Sequence, residues 1–307
     1  MTLPTRKETR SVLIGTLLFF LLTGIFLGIR PEHIYLMGLF LFLFFASSFT
    51  RKLAIALIPF MIFGISYDWM RLIPNYEVNP IDVKGLYEAE KALFGIQSEG
   101  QIVTPNEYFA IHNWKVMDFL SGIFYLCWVP VPILFGVWLY FKGERELYLR
   151  LALVFLFVNL IGFAGYYIHP AAPPWYVMLH GFEHVLNTPG ETAGLARFDA
   201  VTGLEIFGSI YSRNANVFAA VPSLHSAYMV IPLYYAIKGK SHPLLIGLFA
   251  VILVGIWFTA VYTAHHYLID VLLGIACALV GIFVFEKILL RTKWFGKFFN
   301  TYYGYIR

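Results

Sequence analysis

Apolar runs long enough to cross a lipid bilayer constrain this sequence more than any other feature. A helix needs about 20 apolar residues to cross roughly 30 Å of hydrocarbon. Eight runs approach that length, and they cover residues 11–29, 34–49, 53–67, 118–141, 151–168, 223–237, 244–264 and 267–290. Hydrophobic residues make up 59% of the chain and charged residues only 13%, too few charges to cover a water-soluble surface. The sequence therefore predicts an all-α integral membrane protein with about eight transmembrane helices, and it excludes soluble Rossmann and barrel enzymes.

The Lys and Arg residues indicate how these helices are oriented. Both types resist translocation and collect in short cytoplasmic loops. With eight helices, 15 of the 22 Lys and Arg residues fall in short segments on one side, and the others are spread over longer segments on the opposite side. Both termini are therefore predicted to be cytoplasmic. The net charge of +4 comes from these clusters, so it indicates orientation in the bilayer and predicts no nucleic acid partner.

Two long polar segments, about residues 68–115 and 169–222, then lie outside the cytoplasm. We expect function to concentrate in them. The first contains a predicted amphipathic helix around Val83 to Phe94, to which we assign no chemistry. We divide the chain into N-terminal membrane helices (1–67), an extracytoplasmic amphipathic segment (68–117), a catalytic membrane core (118–290) with an outer loop (169–222), and a cytoplasmic tail (291–307).

Four ionisable residues lie at predicted helix ends, where such side chains are costly and usually functional: His225, His265, His266 and Asp270. His225 follows a Pro-Ser pair that suits the first turn of a helix. His266 and Asp270 are four residues apart, so their side chains share one helix face within hydrogen-bonding reach. This spacing predicts a nucleophilic imidazole supported by a carboxylate.

Attack on phosphorus is the chemistry that this arrangement favours. Asp270 would fix the tautomer of His266 and stabilise the positive charge on the ring as a phospho-histidine forms. We expect His225 to act as general acid from across a gap wide enough for one phosphorus atom. The side chain of His265 points about 100 degrees away from the Asp270 face, so we interpret it as structural or substrate-facing.

Four further residues are predicted to bind the substrate: Arg197, Arg213, Ser223 and Tyr176. The two Arg residues are those of the second polar segment, and guanidinium groups are suitable donors to phosphate oxygens. Simpler interpretations stay open, since Arg213 suits a solvated loop charge and Tyr176 an interfacial aromatic.

A divalent metal ion could instead be bound jointly by His225, His266 and Asp270. A fourth ligand is not evident, and metal sites usually contain more carboxylates. We therefore predict no metal ion and no organic cofactor.

Four short motifs of the sequence resemble those of a known enzyme family. The segments PSLHS (222–226) and HHYLID (265–270) resemble the second and third signature motifs of the type 2 phosphatidic acid phosphatase superfamily. Together with APPWY (172–176) and GLARFD (194–199), they resemble the fungal-type inositol phosphorylceramide synthase branch. The resemblance implies a six-helix catalytic core preceded by two N-terminal helices. It also implies a general acid or base at His225, a nucleophile at His266 and its aspartate at Asp270.

The sequence also departs from the wider superfamily. Its phosphatases carry Ser-Arg seven and six positions before the nucleophile, where this chain has Thr259 and Ala260, and their first motif is absent. A site with fewer cations suits a phosphodiester with one negative charge better than a dianionic phosphomonoester.

We therefore predict a membrane phosphotransferase that moves a phosphorylated headgroup such as phosphoinositol from a phospholipid donor to a lipid acceptor hydroxyl such as that of ceramide. Its active site is expected on the extracytoplasmic side. Two alternatives remain: a lipid phosphatase or pyrophosphatase on the same scaffold, and a lipid-binding or transport protein without catalytic activity.

Overall fold

The computed structural model describes residues 3–212 and 216–307, which fold mainly into helices. The N-terminal part contains α1 (Arg6–Phe26), α2 (Pro31–Ala46), α3 (Ser48–Trp69), α4 (Lys84–Phe94), a short antiparallel hairpin of β1 (Ile96–Ser98) and β2 (Gln101–Val103), and α5 (Pro105–Ile111). The remainder contains α6 (Lys115–Leu126), α7 (Pro130–Lys142), α8 (Arg145–Ile168), α9 (Pro174–His180), α10 (Ala196–Thr202), α11 (Ile206–Tyr211), α12 (Leu224–Tyr228), α13 (Val230–Lys238), α14 (Pro243–Tyr262), α15 (Leu268–Phe283) and α16 (Lys293–Ile306).

The protein is an all-α, multi-pass integral membrane protein, as predicted. Within the described residues, five helical stretches are long and apolar enough to cross a membrane: Arg6–Phe26, Ser48–Leu72, Arg145–Ile168, Pro243–Tyr262 and Leu268–Arg291. The pair α6 and α7 makes a sixth if this unit, bent by 45°, is one span. All eight predicted runs coincide with helical structure, but the count of eight spans is not confirmed.

Two predicted spans differ from continuous long helices for local reasons. The helix α2 has 16 residues and falls short of the spanning length. The run 223–237 is divided between α12 and α13, which meet at Met229. Pro232 near the start of α13 has no N–H to donate to the carbonyl four residues earlier, which weakens helical continuity there.

The central helix of the bundle is α8. Its buried residues include Tyr148, Phe155 and Val158, and it packs against α3, α7 and α15. The hydroxyl of Tyr148 donates a 2.6 Å hydrogen bond to the carbonyl of Ala56 in α3. This core fixes the helices from which the candidate site is built.

A glycine allows α12 and α15 to approach each other closely. A Cβ atom on Gly274 of α15 would lie only 2.0 Å from the carbonyl oxygen of Ser223, so no other residue fits there without a shift. The amide of Ser223 also donates a 3.0 Å hydrogen bond to the carbonyl of Asp270. The beginnings of α12 and α15 are therefore held side by side.

The two long polar segments meet at one end of the bundle. The amide of Asp82 donates to Pro170, and the amide of Ala172 donates back to Asp82, at 2.7 and 3.0 Å. The predicted amphipathic helix is present as α4, and its buried face contacts the start of α15. The segment 68–117 therefore forms part of the wall around the candidate site, while the division of the chain into four segments remains a prediction.

Candidate active site

The rings of His225 and His266 are in direct contact. His225 lies in the first turn of α12, and His266 lies in the turn between α14 and α15. The Nδ1 atom of His225 is 3.0 Å from the Nε2 atom of His266. Each of these two nitrogens thereby gains a hydrogen-bond partner. The predicted pairing is present, but the expected gap for a phosphorus atom is closed in this structure.

The surroundings of His266 fix which of its nitrogens carries the proton. Its Nδ1 atom is 3.1 Å from the carbonyl oxygen of Ala220 and 3.4 Å from Oδ2 of Asp270. Both oxygens only accept hydrogen bonds, so Nδ1 carries the proton and Nε2 keeps its lone pair. Nδ1 of His225 must then donate to Nε2 of His266. The geometry leaves the His266 nitrogen that faces His225 as the nucleophilic atom.

Asp270 serves the helix as well as the histidine. Its side chain is fully buried, and Oδ2 accepts a 2.9 Å hydrogen bond from the amide of Tyr267, which caps α15. The predicted proximity of Asp270 and His266 is present, although His266 precedes the helix.

Aromatic rings hold His225 from the side of α6. The ring of Tyr125 stacks on that of His225 with centroids 4.8 Å apart. The ring of Trp128, at the bend between α6 and α7, has its centroid 4.5 Å from that of His225. Sequence reasoning missed both residues, because a single aromatic in an apolar run carries no local signal of function.

A cavity of about 310 Å³ opens beside the histidine pair. Its described lining contains aromatic and aliphatic side chains, the three histidines and one amide, but no Lys, Arg, Asp or Glu. Prominent among the lining residues are Tyr67, Trp128, Tyr166, Trp175, Phe207, Tyr211 and Asn216. Such a lining suits a lipid headgroup and the adjoining apolar chains better than a strongly charged ligand.

Three of the predicted substrate-binding residues, Arg197, Ser223 and Tyr176, lie outside this lining. Arg197 donates from Nε to Oδ1 of Asp118 at 2.6 Å, and its guanidinium lies 5.0 Å from the ring centroid of Tyr262. Arg213 lies outside the described residues. Arg197 is therefore engaged by a carboxylate and an aromatic ring next to the turn that carries the histidines.

Ser223 and Tyr176 have structural partners. Ser223 is fully buried, and its Oγ accepts from the amide and hydroxyl of Ser226, which caps α12. The hydroxyl of Tyr176 donates to the carbonyl of Glu183 and accepts from the amide of Val185, both at 2.7 Å. Their predicted contacts with substrate remain predictions.

His265 lines the cavity beside the pair. Its Nδ1 is 3.0 Å from Oγ1 of Thr263, and its ring packs against Tyr211 with centroids 4.6 Å apart. Burial, and then the neighbouring His266, lower the pKa of His265 to about 3, against the weaker opposing effect of nearby backbone groups. His265 is therefore neutral at physiological pH.

Two residues of the segment 68–117 hold the turn that carries His266, and sequence reasoning missed both. Glu90 is fully buried and accepts hydrogen bonds from the amides of Leu268 and Ile269, at 2.8 and 3.1 Å. Asn106 is also fully buried and donates from Nδ2 to the carbonyl oxygens of Val261 and His266, at 2.8 and 2.9 Å. The only sequence signal was an acidic residue on an amphipathic helix, which is ordinary on a solvated face.

Candidate metal ligands are not clustered in the part of the chain that the structure describes. Between residues 3 and 212 and from 216 onward, no group of three His, Cys, Asp or Glu side chains is arranged to hold a metal ion.

Comparisons with known proteins show the family to which this chain is related. The profile of the PAP2 superfamily matches residues 86–284. The chain is 64% identical over 305 residues to the phosphoinositol dihydroceramide synthase of Bacteroides thetaiotaomicron, covering 99% of this chain and 100% of that protein. It is 26% identical over 232 residues to the catalytic subunit of inositol phosphorylceramide synthase of Saccharomyces cerevisiae, covering 75% of this chain and 55% of the yeast protein.

The inositol phosphorylceramide synthase of Candida albicans is similarly related, with 26% identity over 267 residues that cover 80% of this chain and 54% of that protein. The chain thus spans about half the length of these fungal relatives but the full length of the bacterial one. No solved structure matches the chain.

Proposed function

Because the chain belongs to the PAP2 superfamily, we propose that it is a membrane phosphotransferase that moves phosphoinositol from a glycerophospholipid to the hydroxyl group of a ceramide or dihydroceramide. The names of the relatives suggest the headgroup and the acceptor. The observation that carries the chemistry is the 3.0 Å contact between Nδ1 of His225 and Nε2 of His266 beside the cavity.

In the first step, the lone pair on Nε2 of His266 attacks the phosphorus of the donor lipid. The bond between phosphorus and the glycerol oxygen breaks, and protonated His225 gives its Nδ1 proton to that oxygen, which releases diacylglycerol. The negative charge of the phosphodiester favours the protonated form of His225. Phosphoinositol is then bonded to Nε2 of His266, and Asp270 and the carbonyl of Ala220 stabilise the positive ring.

In the second step, the acceptor lipid takes the place of diacylglycerol. Neutral His225 removes the proton from the acceptor hydroxyl, the oxygen attacks phosphorus, and the bond to His266 breaks. Reacting atoms must approach to roughly 3–3.5 Å before bonding. A phosphorus atom and an oxygen must therefore fit between two nitrogens that are now 3.0 Å apart, so the rings must separate when substrate binds.

We further propose that the site faces the extracytoplasmic side and that both termini are cytoplasmic. Several basic residues gather at the end of the bundle opposite the histidines. Arg145 there bonds to the carbonyl of Ile306, and Arg150 and Lys238 both pair with Glu286. Basic residues of short loops remain in the cytoplasm, which supports this orientation.

A product assay with defined lipids tests the proposal. Purified protein is incubated with phosphatidylinositol labelled in the headgroup, with and without ceramide or dihydroceramide, and the products are identified by mass. We expect labelled inositol phosphorylceramide or its dihydro form, together with diacylglycerol. Release of free phosphate or inositol phosphate, with no labelled second lipid, would instead support the phosphatase alternative.

A further inference from the structure

Glu90 is a buried acid whose role goes beyond holding the turn. It lies on α4 and has no exposed surface, and each of its carboxylate oxygens accepts a hydrogen bond from an amide in the first turn of α15. Burial, together with the neighbouring carboxylate of Asp270, raises the pKa of Glu90, and the amides of Leu268 and Ile269 oppose that shift. Both oxygens act as acceptors, which is the arrangement of an ionised carboxylate.

The beginning of α15 is consequently unlike an ordinary anion-binding helix terminus. Free amides and the helix dipole normally favour an anion at such a terminus. Here the amides of Leu268 and Ile269 are taken by Glu90, and that of Tyr267 is taken by Asp270. Two carboxylates therefore offset the positive end of the helix close to His266: Asp270 lies 3.4 Å from its ring, and Glu90 binds the amides two and three residues after it.

The described lining of the cavity contains no Lys or Arg that would offset the negative charge of these two carboxylates. Two buried carboxylates close to His266 favour a positive charge on its ring, as the phospho-histidine requires. The same field opposes every additional negative charge on the ligand, and low surrounding dielectric strengthens that opposition.

We propose that Glu90 makes the site selective for lipid phosphodiesters, which carry one negative charge, over phosphomonoesters, which carry two. Glu90 acts as a specificity-determining residue through the field at phosphorus and does not touch the reacting atoms. The inference rests on the proposed function for the reaction and adds to it the charge class of the substrate.

The variant Glu90→Gln tests this selectivity. It keeps the size of the side chain and one acceptor oxygen but removes the negative charge. Phosphate release from phosphatidic acid and headgroup transfer from phosphatidylinositol are measured as kcat/KM at pH 8, where the monoester is dianionic. We expect the ratio of the first to the second to rise about tenfold, the effect of one unit charge over about 10 Å at an effective dielectric of about 20.

Two control variants separate charge from structure. Asn106→Ala removes the hydrogen bonds to Val261 and His266 without changing charge, so it should lower both activities in parallel and leave their ratio unchanged. Glu88→Gln removes a carboxylate from the same helix that is exposed and pairs with Lys84, so solvent screening should leave the ratio unchanged.

An unchanged ratio in a folded Glu90→Gln protein would overturn the proposal. If that variant does not fold, inhibition of the unaltered protein by phosphatidic acid and by its monomethyl ester decides the matter, since these ligands differ by one charge. Tighter inhibition by the ester supports the proposal, and equal inhibition contradicts it. Failure of the unaltered protein to transfer phosphoinositol would defeat the proposed function alone, because the inhibitor pair can still be compared by direct binding.

Discussion

At the scale of single residues, the site depends on two acceptors that hold one proton. Nδ1 of His266 faces both the carbonyl of Ala220 and the carboxylate of Asp270, at 3.1 and 3.4 Å. The spacing of His266 and Asp270 in the sequence was enough to predict their partnership, and the Pro-Ser pair before His225 placed that residue at a helix start. The contribution of Ala220 could not be predicted, because a backbone carbonyl has no residue-type signature and lies 46 positions away.

Because Nδ1 of His266 faces two acceptors, we expect substitutions of His266 and of Asp270 to lower the transfer activity by different amounts. His266→Ala removes the nucleophile, and we expect transfer to fall by at least roughly 10,000-fold. Asp270→Asn leaves the carbonyl of Ala220 to hold the same tautomer, so the loss should be smaller, roughly 100- to 1,000-fold. Steady-state transfer rates on folded protein measure both, and equal losses would mean that Ala220 contributes nothing.

His225 has a different expected signature. His225→Ala removes the general acid and base, which is typically worth roughly 100- to 10,000-fold. Donor lipids with a more acidic leaving alcohol need less protonation, so they should recover a larger share of the lost rate than phosphatidylinositol does. Equal losses for both kinds of donor would argue against the proton-transfer role.

At the scale of elements, the apolar runs predicted where helices occur, but not where they break. The bend between α6 and α7 places Trp128 against His225, and the break at Met229 ends the short helix that carries His225. Hydropathy averages over about 19 residues and cannot resolve such breaks. Glu90 and Asn106 were likewise unpredictable, since their partners lie 178 and 160 positions away.

The approach of α12 to α15 provides a test at this scale. Gly274→Ala would place a Cβ atom 2.0 Å from the carbonyl of Ser223, so the two helices must move apart. We expect a loss of roughly 1–3 kcal/mol of stability, seen as a lower thermal unfolding temperature in detergent, and a larger loss of transfer activity. Gly247→Ala is the matched control, because no atom of the described residues lies within 4 Å of its added Cβ atom. A Gly274→Ala protein as active as the control would show that the spacing of the helices is unimportant.

At the scale of the whole molecule, sequence reasoning predicted the membrane class, the helical fold and the superfamily, while the number of spans stays open between the eight predicted and the five or six supported by length. Charge asymmetry determines orientation across the bilayer, and this is a property of the whole chain.

Orientation can be measured with single cysteines in a background lacking Cys127 and Cys277. We expect Glu183→Cys in the outer loop to react with a membrane-impermeant thiol reagent in sealed right-side-out vesicles, and Asn300→Cys in α16 to react only after permeabilisation. Both positions are exposed, so accessibility depends on the side of the membrane. The reverse labelling pattern would place the histidines on the cytoplasmic side.

The central claim is that phosphoinositol passes through a covalent bond to His266, and trapping that bond tests it most directly. Purified protein is mixed with headgroup-labelled phosphatidylinositol in the absence of acceptor, quenched in alkali, and digested for mass spectrometry. We predict one labelled peptide, modified at His266, that forms with a burst of diacylglycerol and disappears when ceramide is added. Active protein that transfers the headgroup while carrying no label, or carrying it at His225, would contradict the mechanism.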